Sequence, residues 1–275
     1  MASAPKPVAA PQFKIKQRKR NAVHKYEPDQ FKANLIALLP ADTLDLEKYY
    51  SVLETNEAKI DIKRYAEPFF EIFIVGDLLA PGGVIANVEN SFCIFSAQES
   101  IESIKPVVQI VERLSRRYKY LPVKLDETLA HLLQYINKFG ENSNKLAIAV
   151  ALFVTSGLAP ASVMHQLLKE HLVKDRLALD FFVLFLQTCL HELTLDQVTT
   201  IIRKNGLDAK IPDFFPQSDR QEELVAAHME SVGLSEVYAF YLKQQSTVIK
   251  DQTFQTLIQM FTESTPALVL LFSLR

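Results

Sequence analysis

The sequence predicts an all-α chain of antiparallel helix pairs stacked as an α-solenoid, and three observations carry that expectation. Apolar residues recur at i, i+3, i+4 and i+7 through most of the chain, the spacing of helices with one buried side. Segments of roughly 12–20 residues are separated by about two to six residues containing Gly, Pro, Asp or Ser, and connections that short allow antiparallel neighbours. Only 7 glycines occur in 275 residues, and the 13 prolines gather largely in the N-terminal arm and at segment ends, which favours helices over a sheet-rich fold. About a dozen helices without a strand signal read as a HEAT-like (MIF4G-like) solenoid. The argument rests on helix and linker length, because no strict repeat period is visible.

Residues 1–27 are rich in Pro, Ala and Lys with little to bury, and are expected to be a disordered basic arm. Residues 1–26 contain Lys6, Lys14, Lys16, Arg18, Lys19, Arg20 and Lys25 and no acid, so the arm is +7. The whole chain is −2, leaving an acidic body of −9. The cluster of Lys14, Lys16, Arg18, Lys19 and Arg20 is compatible with RNA or another phosphate-rich surface, with a nuclear import signal, or with a solubilising tail. Only Phe13 and Tyr26 are interleaved as aromatic platforms, which argues against base-specific recognition.

The helical domain is expected over residues 28–261. Pro28 and Asp29 suit a first turn, and Phe31, Leu35, Leu38 and Leu39 make an apolar stripe that ends at Pro40. Asp42 or Thr43 can cap a second helix carrying Leu44, Leu46, Tyr49, Tyr50 and Leu53 to about Asn56. The third segment, 61–83, is the expected centre of the domain. Apolar residues from Ile62 to Ala80 keep helical spacing, Arg64, Glu67 and Glu71 occupy the other side, and the rod would be roughly 30 Å long. Pro68 predicts a kink or break, and Pro81 with Gly82 or Gly83 at positive φ predicts the closing turn.

The apolar run within 84–95 is too brief to separate strand from buried helix by period. A long helix follows over 96–119, with Ser96 as N-cap and Glu99 three residues on, the capping-box arrangement. Its last turn gathers Arg113, Arg116, Arg117 and Lys119, which fit either cations at a negative helix terminus or a phosphate site. Pro122 opens a helix with Leu125, Leu129, Leu132, Leu133 and Ile136 buried. Further helices are expected over 142–157, 160–173, 176–193, 195–206, 217–233 and 234–261, then a divergent apolar tail over 262–275. Leu121, Leu125, Leu129, Leu132 and Leu133 are spaced four, four, three and one apart, so they are core residues and no zipper.

No enzyme, cofactor or metal signature is legible. HExxH, GxSxG, GxxxxGK[ST] and GxGxxG are all missing, and Cys189 and His191 fall on different sides of a helix. Cys93 and Cys189 are far apart without CxxC spacing and read as buried free thiols of a reducing compartment. No apolar run marks a signal peptide in the first 30 residues, and the apolar stretch 267–274, taken as the closest case, falls far short of the ~20 residues that span a membrane. A soluble intracellular, cytoplasmic protein is the expectation.

Seven islands in register carry a resemblance: YEPDQF (26–31), KIDIKRYAE (59–67), GDLLAPGG (76–83), FSAQE (95–99), RRYKYL (116–121), NKLAIA (144–149) and LVK (172–174). Together, from about residue 12 to about residue 250, they resemble the basic leucine zipper and W2 domain proteins, also called mimics of eukaryotic translation initiation factor 5. The resemblance implies a helical HEAT-type, non-catalytic regulator of translation initiation. Such proteins engage initiation factors 2 and 3 of the preinitiation complex, compete with factor 5 and alter start-codon selection. The family's C-terminal W2 domain has aromatic and acidic boxes, whereas this chain has no Trp and closes on STPALVLLFSLR, so a truncated product is expected. Arg64, Glu67, Arg116, Arg117 and Lys119 are the expected partner-binding residues, with the arm as an alternative contact to RNA or the ribosome surface.

Overall fold

The computed structural model describes residues 25–40, 46–85 and 92–273. Among them are thirteen α-helices and no strand, only an isolated bridge between Ala80 and Val84. The helices are α1 (Pro28–Leu38), α2 (Leu46–Thr55), α3 (Glu57–Ile60), α4 (Ala66–Ile74), α5 (Ile101–Arg117), α6 (Leu121–Leu132) and α7 (Ile136–Phe139). They continue with α8 (Asn142–Thr155), α9 (Glu170–Lys174), α10 (Leu177–Glu192), α11 (Leu195–Lys204), α12 (Glu222–Ser231) and α13 (Ser235–Ser273). The architecture is the all-α HEAT-like solenoid that the sequence predicts.

Two helices with hardly any polar face organise the packing. In α8 every residue from Leu146 to Val154 is buried, and the helix packs against both α5 and α10. Its alanines at 147, 149 and 151 leave room for those neighbours to approach. In α4 every residue but Glu67 is buried, and the helix packs against α1 and α6. Phe69 and Phe73 lie 4.5 Å apart, and Phe92 joins them to Tyr49 of α2. Further on, Phe182 of α10 stacks flat on Phe214 at 4.0 Å. One continuous apolar core results, from Phe31 to Tyr238.

Three helices end in the same way. After α8, α11 and α12 the chain reads Gly-Leu, at 157–158, 206–207 and 233–234. Each glycine has positive φ, and each leucine N–H donates back five residues, to Phe153, Ile202 and Met229. This is the Schellman arrangement, and Leu158, Leu207 and Leu234 supply the buried apolar contact that accompanies it.

Several expectations need correction. The 61–83 segment is no 30 Å rod. Asp61 has φ 46° and its carbonyl accepts from the N–H groups of both Arg64 and Tyr65, making a turn that delays the helix to Ala66. The helix α4 is then nine residues long and Gly76, at φ 93°, follows its end. Pro68 causes no break because it is the third helical residue, where its missing N–H is one of the donors a first turn leaves unpaired anyway. Arg64 therefore precedes the helix, and Glu71 is buried rather than on a polar face.

The cap of α5 is Ser100, whose hydroxyl accepts from the Ser103 N–H at 3.2 Å, while Ser96 closes a 3-10 turn by donating to the Cys93 carbonyl. A capping box does occur, with Thr194 and Gln197 at the start of α11. The 160–173 segment is 3-10 over Ala161–Leu168 before the short α9, and 217–233 turns α-helical only at Glu222. The last helix runs past 261 to Ser273. The proposed caps Asp42 and Thr43, residues 86–91 of the ambiguous run, and the arm through residue 24 lie outside the described residues. Both cysteines are buried and free, and burial pushes the Cys189 thiol up to about 12.

The turn after α4 forms as expected, with Pro81 at i+1, Gly82 at φ 87° and the Gly83 N–H donating to the Ala80 carbonyl at 3.0 Å. Gly83 also has positive φ, and a Cβ there would fall 2.5 Å from Cγ of Tyr135, whereas one on Gly82 meets nothing. Gly83→Ala is therefore expected to destabilise the domain by about 1–3 kcal/mol more than Gly82→Ala, read from urea midpoints of the two variants.

Candidate functional site

The helix α4 places Glu67 and Glu71 one helical turn apart on one side. Their common neighbour is His131 of α6, and the three residues hold one ligand atom each within 4.8 Å of one another. His131 Nδ1 is 3.9 Å from Glu67 Oε1, beyond hydrogen-bond range, and is buried with no hydrogen-bond partner. The imidazole is held edge-on against Tyr135 at 5.4 Å. Glu71 is 7% exposed, and its Oε2 accepts from the Leu79 N–H at 3.1 Å.

These groups line a cavity of about 590 Å³ that also takes in Tyr26, Lys32 and Asp77. Lys32 of α1 forms an ion pair with Asp77, whose other contact is the Leu78 N–H at 2.6 Å. Tyr26, from the end of the arm, stacks on Tyr65 at 5.0 Å, and the Tyr65 hydroxyl accepts from the Glu27 N–H. Burial pushes the Glu71 carboxyl up to about 7. The negative charges of Glu67 and Asp77 add to that shift, and the Leu79 hydrogen bond opposes it.

Of the residues selected from sequence, Glu67 alone belongs to this cavity. Arg64 sits in the preceding turn with its guanidinium 5.5 Å from the Tyr65 ring centroid. Arg116 pairs with Glu112 one turn back at 2.6 Å, and Arg117 pairs with Glu54 of α2. Arg113 pairs with Glu47 of α2 at 2.5 Å and lies over the Tyr50 ring at 4.0 Å. The cationic end of α5 is thus stitched to carboxylates of α2, and Lys119 is exposed just beyond it. Lys14, Lys16, Arg18, Lys19 and Arg20 lie outside the described residues. Sequence reasoning missed Glu71 and His131. The i, i+4 glutamates were visible, but the histidine reaches them only because α6 packs on α4.

The Glu71 carboxyl titrates higher in the folded chain, about 7, than its ordinary value of 4.5, so between those values the native state holds more protons than the unfolded one. Its contribution to stability is complete below about 4.5 and is lost as pH rises through about 7. Glu71→Gln keeps an acceptor for Leu79 and removes the charge. Its stability relative to the parent chain is expected to increase by on the order of 1–2 kcal/mol between pH 5.5 and pH 8, read from urea midpoints in chelator-treated buffer.

Comparison with known proteins adds what geometry alone cannot. The model of the 5MP1/2 HEAT domain matches residues 15–251. Protein krasavietz of Drosophila melanogaster is 35% identical over 258 residues, 92% of this chain and 61% of the relative. The proteins named eIF5-mimic protein 2 of Gallus gallus and Homo sapiens are each 32% identical over 238 residues, 86% of this chain and 57% of theirs. The chain therefore spans about three-fifths of the length of these relatives. No solved structure matches it. With a domain match that begins inside the basic arm and runs into α13, and identity sustained through the whole helical core, this chain belongs to the eIF5-mimic protein family and carries its HEAT domain.

Proposed function

We propose that this chain is a non-catalytic regulator of translation initiation that acts in the cytoplasm by protein contact. It competes with initiation factor 5 for initiation factors 2 and 3 in the preinitiation complex and so alters start-codon selection. The observation that carries this reading is the family match over residues 15–251 together with the name borne by the relatives, mimic of factor 5. The arrangement of α5 supports it. Exposed guanidinium groups paired with α2 carboxylates form a charged surface, and charge patterns of this kind select partners by complementarity. No helix among the described residues is long and apolar enough to cross a membrane.

The test is retention of cytosolic initiation factors on this chain, beside the same chain extended by the family's C-terminal domain. Retention of factors 2 and 3 by both places binding surface on the HEAT domain. Retention only by the extended chain means that the C-terminal domain carries the contacts and overturns the reading for this chain. Should retention occur but fall steeply between about 50 and 200 mM salt and vanish on nuclease treatment, RNA contact through Lys14, Lys16, Arg18, Lys19 and Arg20 is the better account.

Arg116 gives the cleaner point variant, because its ion pair, with Glu112, lies within α5. Arg117 ties α5 to α2. Arg116→Glu, which opposes Glu112 only within α5, is expected to weaken factor retention several-fold with an unchanged circular dichroism spectrum, whereas Arg117→Glu sets acids of α5 and α2 against each other and is expected to lower the urea midpoint as well.

A further inference from the structure

We propose that Glu67, Glu71 and His131 form a binding site for one divalent transition-metal ion of Zn²⁺ type, which staples α4 to α6. The geometry carries the proposal. Two carboxylates one turn apart on one helix, facing an imidazole from the helix packed against it, is the way helical bundles build metal centres from facing side chains. The 3.9 Å between His131 Nδ1 and Glu67 Oε1 is too long for a hydrogen bond. Tetrahedral ligands on bonds of about 2.1 Å stand roughly 3.4 Å apart, so closing this pair on one ion takes a movement of about half an ångström. The remaining separations reach 4.8 Å, and the Glu67 side chain, 59% exposed, is free to swing inward and close them.

Three further observations point to a cation. His131 Nδ1 is shielded and has no hydrogen bond in the protein although the rest of the side chain is 41% exposed, and a shielded polar atom is unfavourable until a partner satisfies it. Glu71 is a buried carboxylate that accepts from a backbone N–H, that of Leu79. The ammonium groups of Lys32 and Lys124 form their ion pairs with Asp77 and Glu127, so among the described residues no lysine is ion-paired with Glu67 or Glu71.

The Leu79 N–H orients the Glu71 carboxylate, and Tyr135 packs edge-on against the imidazole that carries Nδ1. One imidazole nitrogen with two carboxylate oxygens suits Zn²⁺ and its first-row neighbours. Ca²⁺ takes six to eight oxygen ligands and Mg²⁺ an octahedral oxygen set, so neither fits three ligands that include a nitrogen. The fourth position would open into the cavity. The proposal is independent of the part the chain plays in translation, since a staple between helices can serve any function of the domain.

The experiment is equilibrium titration of the chelator-stripped chain with Zn²⁺ alone, with Mg²⁺ and Ca²⁺ as parallel arms, on the parent chain, Glu71→Gln and His131→Ala. One Zn²⁺ per chain is expected, with affinity lowered at least 100-fold in both variants, a thermal midpoint raised by Zn²⁺ in the parent chain only, and no comparable uptake of Mg²⁺ or Ca²⁺. Substitution by Co²⁺ gives a second readout, a visible absorption band that His131→Ala abolishes. Glu71→Gln keeps the shape of the side chain and is expected to fold, so loss of metal there is not loss of structure. No Zn²⁺ uptake by the parent chain, uptake unchanged in either variant, or equal uptake of Mg²⁺ would each overturn the assignment.

Discussion

Two helices with almost no side that can face water, α4 and α8, organise the elements packed around them. A helix apolar all round gains nothing from an exposed position, so it must be enclosed by neighbours on several sides. That requirement places α5 and α10 against α8 and α1 and α6 against α4, with Phe92 linking the α4 aromatics to α2. The solenoid is the shape that results when two such helices are clad in succession along one chain.

Enclosure has an electrostatic consequence at one point. The sequence AEPFFEIFI carries two acids, and burying the whole of α4 leaves room for only one of them at the surface. Glu67 is the one exposed residue of the helix, while Glu71 is drawn under the Leu78–Leu79 loop, where burial favours its neutral form. The same packing brings His131 over from α6. The cavity therefore combines a carboxylate that resists ionisation, an imidazole nitrogen without a partner, and an ion pair between Lys32 and Asp77 along one wall. The surface at the end of α5 has the opposite character, because there cations and acids are matched pair by pair between two helices.

Helix endings keep this arrangement in register. Three Gly-Leu pairs turn the chain back and bury an apolar residue immediately after each stop, so that every ending also contributes to the core. Gly83 serves a related purpose, since its missing side chain is what lets the turn after α4 lie against Tyr135, the ring that also flanks His131. The turn, the aromatic contact and the cavity wall are one structural unit.

The sequence by itself determined the all-α class, the core leucines from 121 to 133, the buried free cysteines and the family. Each of these depends on local periodicity, on spacing along the chain or on short motifs, which are readable without coordinates. It misjudged the 61–83 segment because helical spacing continues through Asp61 and Gly76, and periodicity does not register a residue that takes positive φ. It set Glu71 on a polar face because charge is taken as a sign of exposure, and that inference fails where neighbours close over a helix from all sides. Only the tertiary structure decided that α6 brings His131 to Glu67 and Glu71 and that α2 supplies acids to the arginines of α5. Contacts between helices tens of residues apart are set by packing, and packing leaves no periodic trace in the sequence.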